Sequence, residues 1–579
     1  MSRRIKGKQP GQPTTARNRI TSSVIRTSYG LVLSALSKEA TIHCVSPVYG
    51  SAVEINTLPW QLIILPLILI WLVRPSSLQG LYSNAFANVI SVLGCAVSTV
   101  AAFTLRLGPL GPTDGAIVTT FIPQLMLVLS TFRLAALGLL GEGKDMRLTR
   151  RESWPLFLYV VLSYILYSVT LEPLIRAILY KYFLTALNYV GRYGLQAILA
   201  CLFTNLACSK LALLFNIPLL LMAISNPHIP LLRSNTDILN NNIAKTGYRI
   251  VDRQESVTGY LAVIDNLKDQ FRVLRCDHSL LGGEWTKYPP GIDPKLKEPI
   301  YSIFVTLEAV RLVQTERTLE APIKAAKDQQ ALIIGLGIGT SPAAFIHHGI
   351  PTTILEIDPV VHRFAAQYFS LPSNHTAVIG DAIDFVASSQ STQRDRYNFI
   401  IHDVFTGGTE PLELFTQIFL IQLRNLLAED GTIAINYAGD LLLPTALSVV
   451  KTALSVFPIC RIFRETAAAE NQGEQTTDLT NMVLFCRRDP SPFTFREPTE
   501  EDFLGSHARR EHLMPRHEID IARFLEKGED GGEGKGAGQG VVIKGKEELG
   551  KLKKSQKRNA RNHWELMRGV LPREVWVNW

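Results

Sequence analysis

The chain has 579 residues, of which 47% are hydrophobic and 19% are charged, and its formal net charge is +8. A largely disordered chain is excluded, because disordered proteins are poor in apolar residues and rich in charge. Long apolar runs with so little charge are not typical of a single soluble domain. The small net charge gives no support for a nucleic-acid-binding protein, and we expect no nucleic-acid partner.

The first 232 residues predict a basic segment followed by membrane-spanning helices. Residues 1–54 carry eight basic residues before the first acid, Glu39. Uncharged runs then recur at about the 20 residues that cross a bilayer as a helix. These runs are Ile55–Val73, Pro75–Leu105, Gly115–Phe132, Ser153–Leu171, Tyr193–Ser209 and Leu211–Leu232. They predict five to seven transmembrane helices over residues 55–232, with Val24–Ile42 as an optional extra helix; buried helices of a large soluble protein are the alternative.

The charge distribution also predicts topology. A basic N-terminus favours a cytoplasmic start, and six spans would return the chain to that side. We therefore expect an integral, multi-pass protein whose partner is the lipid bilayer and whose C-terminal domain faces the cytoplasm. The organelle is left open.

From about residue 235 the pattern changes to short apolar runs separated by helix-length segments. Five runs have the composition of fully buried strands: Gln330–Leu336, Thr352–Ile357, Ala377–Ile379, Phe399–Val404 and Thr432–Tyr437. This alternation predicts βαβ units around a parallel sheet. We assign residues 235–325 to a small β lid domain with a linking helix, residues 326–488 to a nucleotide-binding α/β domain, and residues 489–579 to a polar, Gly-rich and basic tail. The apolar ending of that tail could dock on the protein or the membrane, or be solvated.

The strongest chemical signal is a glycine-rich turn after the first of these strands. Gly335, Gly337 and Gly339 lie between a buried strand and a helix that begins near Ser341. Glycines allow a tight turn and a close backbone approach to a ligand, and the helix N-terminus attracts anions. Structural glycines in a tight turn are the alternative reading of this motif.

Acidic residues follow the next three strands. Glu356 ends the second strand, where an acid can accept hydrogen bonds from ribose hydroxyls. Asp381 and Ala382 follow the third strand in a Gly-Asp-Ala sequence, where the carboxylate could receive an adenine amine. Asp403 ends the fourth strand at the same edge of the sheet. Ligands of open α/β sheets bind at that edge, so these residues predict a nucleoside site.

Two cofactors fit a glycine turn with a ribose-binding acid. A nicotinamide site prefers G-x-G-x-x-G, whereas this turn reads G-x-G-x-G and precedes a later Gly-Asp-Ala. The spacing therefore favours an S-adenosyl nucleoside. Seven scattered cysteines without a C-x-x-C pair support neither a disulfide framework nor a zinc site, and we expect no metal.

Residues 255–437 resemble the spermidine/spermine synthase superfamily. The segments SVTGYLAVID, LIIGLGIG, LEID, GDAIDFV and YNFIIHDVF follow in the family's order. The resemblance implies a Rossmann-like class I S-adenosylmethionine-dependent methyltransferase fold preceded by a small β-domain, and S-adenosylmethionine or its decarboxylated form as the co-substrate. It also implies that Asp403 is the catalytic base, and that Gly335, Gly337, Gly339, Glu356, Asp381 and Ala382 bind the nucleoside.

Departures from the family pattern bear on the reaction. The family's lid Tyr-Gln pair is replaced by Thr258 and Gly259, and the acid of its glycine loop by Ile338. The polyamine-holding acid after the base is also missing. We therefore predict a membrane-anchored transferase that favours methyl over aminopropyl transfer to a small-molecule or protein amine. A polyamine aminopropyltransferase, or a non-catalytic membrane transporter or scaffold, remains the alternative, and a homodimer is left open.

Overall fold

The computed structural model describes residues 14–50 and, with internal gaps, residues 233–579, together with isolated residues between 111 and 228. The gaps within the second range are residues 289–295, 317–324, 406–407, 409, 468–476 and 530–539. The chain forms two units, one of residues 1–45 and 56–231 and the other of residues 46–55 and 232–579.

The N-terminal unit contradicts the predicted membrane domain. Helix α1 (Thr14–Tyr49) spans 36 residues but contains Lys38 and Glu39, and Tyr167–Leu171, at the end of one predicted span, is a single π-helical turn. Among the residues that the structure describes, no helix combines the length and the apolar character needed to cross a bilayer. Apart from isolated positions, the other predicted spans lie outside the described residues.

The predictions of a polytopic membrane domain, a lipid bilayer partner and an integral-membrane localisation with a cytoplasm-facing domain are therefore wrong by this finding. The physical reason is that hydropathy reports how apolar a run is and not whether the run forms one uninterrupted helix.

The second unit begins with helix α2 (Arg233–Ile243) and a small antiparallel sheet. Its strands follow one another as a meander: β1 (Tyr248–Ser256), β2 (Gly259–Asn266), β3 (Phe271–Cys276) and β4 (Ser279–Trp285). Strand β2 is buried along its whole length, which explains its nearly continuous apolar sequence. We call β1–β4 the lid sheet. A short helix, α3 (Ile303–Thr306), and strand β5 (Val313–Gln314) connect it to the next layer.

An eight-stranded sheet forms the centre of this unit. Its elements alternate along the chain: β6 (Ala331–Ile334), α4 (Thr340–His347), β7 (Thr352–Glu356), α5 (Pro359–Tyr368), β8 (Thr376–Ile379), α6 (Ala382–Ser388), β9 (Tyr397–His402), α7 (Gln417–Leu426), β10 (Leu427–Asp440), α8 (Pro444–Val456), β11 (Ile459–Arg464) and β12 (Leu479–Arg487). The strand order is β14-β11-β12-β10-β9-β6-β7-β8, where β14 comprises His517–Glu518.

The pairing of these strands fixes where the site lies. Strands β6 to β10 pair in parallel, with β6 between β7 and β9, whereas β12 is antiparallel to β10 and to β11. The four residues of β6 are completely buried, as expected for a strand covered by helices on both faces. The predicted Rossmann-like fold of the C-terminal part is confirmed. The carboxyl ends of β6, β7, β8 and β9 share one edge, and the predicted residues follow those strands.

The stretch after residue 489 is largely helical and packs on the same unit. Its remaining elements are β13 (Thr494–Phe495), α9 (Glu500–Phe503), α10 (His507–His512), α11 (Ile521–Glu529), α12 (Lys546–Val570) and α13 (Arg573–Val577). A buried ion pair holds α10 in place, because Arg509 donates to both carboxylate oxygens of Glu308 at 2.8 and 2.9 Å. Adjacent strands β11 and β12 are joined by a disulfide between Cys460 and Cys486, a bond that the sequence analysis did not predict.

Candidate active site

The glycine turn between β6 and α4 is too crowded for side chains at two of its positions. Gly335 has φ +87°, and a Cβ atom there would lie 2.0 Å from the carbonyl oxygen of Asp403. Gly337 has φ +54°, and its Cβ would lie 2.5 Å from the carbonyl oxygen of Leu281. Both positions therefore need glycine, for backbone conformation and for space. The turn consequently packs tightly against the end of β9 and against lid strand β4.

Gly339 differs from the other two glycines. It is the N-cap residue of α4 with φ +91°, and a Cβ atom there would lie 2.9 Å from Cδ1 of Leu371. The main cavity is lined by Gly335 and Gly337 but not by Gly339. The third glycine thus starts the helix and makes room for a core leucine.

Glu356 ends β7 and is held rigidly by the neighbouring backbone. Its two carboxylate oxygens accept hydrogen bonds from the N–H groups of Leu336 and Asp358, each at 2.9 Å. Burial raises the pKa of Glu356 to about 7, although these bonds to the carboxylate oppose that rise. The carboxylate lines the cavity beside the glycine turn. It has lone pairs left for hydroxyl donors, since an ionised carboxylate has about four acceptor sites.

Asp381 and Ala382 lie where α6 begins. Asp381 is the N-cap residue, and its Oδ1 accepts from the backbone N–H of Ile383 at 2.8 Å. Ala382 is the first helical residue and is buried. Both line the same cavity as Glu356. One carboxylate oxygen of Asp381 caps the helix, and the other can accept from a ligand.

Asp403 follows β9 and is paired with a residue that the sequence analysis did not single out. The side-chain amide of Asn436, on β10, donates to Oδ1 of Asp403 at 2.8 Å. Burial raises the pKa of Asp403 to about 6, and the hydrogen bond from Asn436 opposes this rise. Within the described residues, Oδ1 of Asn436 is buried and has no hydrogen-bond partner. Because an ionised carboxylate only accepts, the amide must turn its NH₂ group toward Asp403, which leaves its oxygen for another donor.

His402 precedes Asp403 but lies on the opposite face of the sheet. It is fully buried against Phe415 and Phe419, with ring centroids 4.9 and 5.9 Å away. Burial lowers the pKa of His402 to about 4. The prediction that adjacent strand residues point apart agrees with this placement, and His402 has no contact with the cavity.

One cavity of about 660 Å³ brings the predicted residues together. Its walls include Gly335, Gly337, Glu356, Asp381, Ala382 and Asp403. We call the part beside β6, β7 and β8 the nucleoside half. The cavity continues past Asp403 along the ends of β10, β12 and β11, and we call this part the acceptor half. Its size is typical of a pocket that holds small ligands.

The acceptor half consists of residues that sequence reasoning missed. Glu465 follows β11, Asn481 lies on β12, and His563 lies on α12; all three line the cavity. His563 contacts Oγ of Ser279 through Nε2 at 3.2 Å, and its ring lies 4.8 Å from that of Phe405. Burial lowers the pKa of His563 to about 4, so the ring is neutral at physiological pH. His563, Met567 and Val570 have the spacing of one helical face, and this pattern in the sequence could have indicated that the face packs on the protein.

Buried polar contacts fix α12 over the sheet. Asn559 donates to Glu410 at 2.7 Å, and Asn562 donates to Asp440 at 2.9 Å. Asn559 and Glu410 are each almost completely buried, so losing either partner would leave a costly unpaired group. Helix α12 is therefore a fixed wall of the acceptor half.

The lid sheet is tied to the nucleoside half through Asp358. This buried residue is the N-cap of α5, and it accepts hydrogen bonds from the hydroxyls of Ser256 and Thr258, each at 2.5 Å. Its own backbone N–H donates to Glu356. The turn between β1 and β2 is thus coupled to the residue predicted to bind ribose. Within the described part of the chain, no three metal-binding side chains lie close enough to hold an ion.

Comparison with known proteins gives one extensive match. No family model matches the chain. An "N-terminal histidine N-methyltransferase" from Emericella nidulans is 51% identical over 423 residues, which cover 72% of this chain and 73% of that protein. A "Polyamine aminopropyltransferase" from Vibrio vulnificus is 37% identical over 114 residues, 19% of this chain and 38% of that protein.

Among solved structures, a probable spermidine synthase from Corynebacterium glutamicum aligns with 51% of this chain and 95% of its own. Its sequence identity is 15% and the TM-score is 0.36.

Proposed function

The chain belongs to the family of the Emericella nidulans N-terminal histidine N-methyltransferase, and we propose that it methylates a side-chain imidazole nitrogen of an N-terminal histidine in a protein. It is a transferase that uses S-adenosylmethionine. The family relationship extends over most of both chains, and the cavity supports the proposal because its nucleoside half opens directly into a separate acceptor half.

In this proposal the nucleoside half orients the methyl donor. Glu356 accepts hydrogen bonds from the ribose, Asp381 accepts from the adenine amine, and Gly335 and Gly337 let the backbone approach the ligand. S-adenosylmethionine supplies the methyl group: the N–C bond forms as the C–S bond breaks, and the electron pair stays on sulfur, which leaves as a thioether. Fixed orientation of the two reactants is the main source of rate acceleration for such a displacement.

Asp403 is proposed to take the proton that the acceptor nitrogen sheds. A general base works best when its pKa is near the working pH, and burial raises the pKa of Asp403 to about 6. Asn436 holds the carboxylate in place through the hydrogen bond from its side-chain amide.

A direct test is methyl transfer to a synthetic peptide. The full-length protein would be incubated with S-adenosylmethionine and a peptide that begins with histidine, and mass spectrometry would detect the gain of one methyl group. The control is the same peptide with alanine in place of the first histidine. We expect modification of the histidine peptide alone. Methylation of both peptides, or transfer from decarboxylated S-adenosylmethionine to putrescine in place of peptide methylation, would overturn the proposal.

A further inference from the structure

The charged residues among the described walls of the cavity are all acidic. Five acids line it: Glu356, Asp381, Asp403, Glu413 and Glu465. Among the described lining residues there is no lysine or arginine. The only lining histidine in that set, His563, is kept neutral by burial. An anionic cavity favours cationic ligands. Two of the five acids, Glu413 and Glu465, lie in the acceptor half, and Glu465 also lies beyond residues 255–437, the range that resembles spermidine/spermine synthases.

Hydrogen bonds fix both carboxylate oxygens of Glu465. Its Oε1 accepts from the Ser302 hydroxyl at 2.7 Å, and its Oε2 accepts from the side-chain amide of Asn481 at 2.7 Å. The backbone N–H of Glu465 also donates to the carbonyl of Asn481 at 3.0 Å. These bonds fix the carboxylate from two elements and use about half of its acceptor sites. Because Glu465 lines the cavity, its remaining acceptor sites are available to a ligand there.

We infer that Glu465 binds an ammonium group of the acceptor that is distinct from the nitrogen that is methylated. Asp403 lies at the end of β9 and beside the glycine turn, where the methyl donor would lie in the proposed function. Glu465 lies at the end of β11, with β10 and β12 between the two strands. The cavity thus offers two separate anionic positions, one at the reacting centre and one farther along the acceptor half.

The ammonium group assigned to Glu465 is the free α-amino group of the peptide. This assignment rests on the proposed function, because an unmodified protein N-terminus carries that group. Glu413 is the competing candidate, but it is exposed, and the Thr416 hydroxyl donates to its backbone carbonyl, not to its carboxylate. A rigid carboxylate loses less conformational entropy on binding than a mobile one, so Glu465 is favoured.

The experiment compares two peptides that begin with histidine and contain no lysine or arginine, one with a free and one with an acetylated N-terminus. Steady-state kinetics would be measured for the full-length wild type, Glu465→Gln, Glu413→Gln and the surface control Glu501→Gln. We expect Glu465→Gln to lower kcat/KM for the free peptide by about 10- to 100-fold, mainly through KM, since a hydrogen bond to a charged group is lost. It should leave the acetylated peptide unaffected and S-adenosylmethionine affinity unchanged.

The outcomes separate this inference from the proposed function. If the wild type methylates neither peptide, both the proposed function and this inference are overturned. If the wild type methylates the free peptide, two results would overturn the inference alone. One is that Glu465→Gln retains the preference for the free over the acetylated peptide; the other is that Glu413→Gln loses that preference. Should Glu465→Gln fail to bind S-adenosylmethionine, Ser302→Ala provides the second variant. It removes one of the two bonds to the carboxylate and should reduce the same preference by a smaller factor; an unchanged preference there also overturns the inference.

Discussion

Replacement of Asn436 by alanine should move the acid limb of the pH–rate profile upward. The Asn436 amide donates to Asp403 at 2.8 Å and opposes the effect of burial, which raises the pKa of Asp403 to about 6 with this bond in place. A hydrogen bond to a charged group contributes roughly 1.5–3 kcal/mol, and one pKa unit corresponds to about 1.4 kcal/mol. Because water in the cavity would replace part of the lost bond, we expect a shift of about one pH unit.

The direction in which the pH–rate profile shifts follows from the role proposed for Asp403. The carboxylate must be ionised to accept a proton, so kcat/KM should fall as the pH drops through its pKa. The fall should be centred near pH 6 in the wild type and about one unit higher in Asn436→Ala, with rates converging toward pH 9.

The assay is peptide methylation between pH 5 and 9. The histidine of the peptide itself titrates near pH 6.5, so the quantity to compare is the difference between variant and wild type, in which the peptide's contribution cancels. Asn425→Ala, on α7 and outside the cavity lining, is the control. A variant that is slower by the same factor at every pH would refute the reasoning, because it would mean that Asn436 does not set the ionisation of the catalytic group.

Three further predictions concern the nucleoside half and the base. Asp403→Asn should lower the methylation rate by about 10²- to 10⁴-fold with unchanged S-adenosylmethionine affinity; normal turnover would exclude Asp403 as the base. Glu356→Ala should weaken S-adenosylmethionine binding by about 1.5–3 kcal/mol in calorimetry, and unchanged affinity in a folded variant would remove Glu356 from the site. Gly335→Ala should abolish binding and lower the melting temperature by more than the roughly 2–4 °C expected per kcal/mol of strain, since its Cβ would meet the backbone of Asp403 at 2.0 Å. Gly349→Ala is its control, with φ +75° but open space around the new Cβ, and equal losses in the two variants would show that conformation alone matters.

The fold around the nucleoside half was predictable because its signals are local. The first strand is four consecutive buried apolar residues, Ala331–Ile334, and the turn after it needs glycine for reasons that act within a few residues. Parallel pairing then brings the ends of neighbouring strands to one edge. Short-range sequence patterns therefore predict both the Rossmann-like fold and the residues at that edge, including Glu356 and Asp403.

The acceptor half could not be predicted in the same way, because it depends on pairing between distant segments. Asn436 lies in a strand that otherwise has the composition of a buried strand, and it matters only because β10 pairs with β9. Asn481 reaches the cavity because β12 is antiparallel to β10, with Asn481 opposite Ala438. Neither register is encoded by a short motif. His563 lies 160 residues beyond Asp403, on a helix whose basic composition suggested a tail.

The nucleoside half and the acceptor half of the cavity are encoded differently in the sequence. The nucleoside half is built from one continuous run of βα units, so its residues form a motif that related transferases can share whatever their acceptor. The acceptor half combines α3, two antiparallel strands and the C-terminal helix, which meet only in the folded protein. The position of Glu465 in this half depends on Ser302 from before the glycine turn and on Asn481 from after it. A change of acceptor can therefore be achieved by substitutions far from the nucleoside motif, and resemblance in that motif alone does not identify the acceptor.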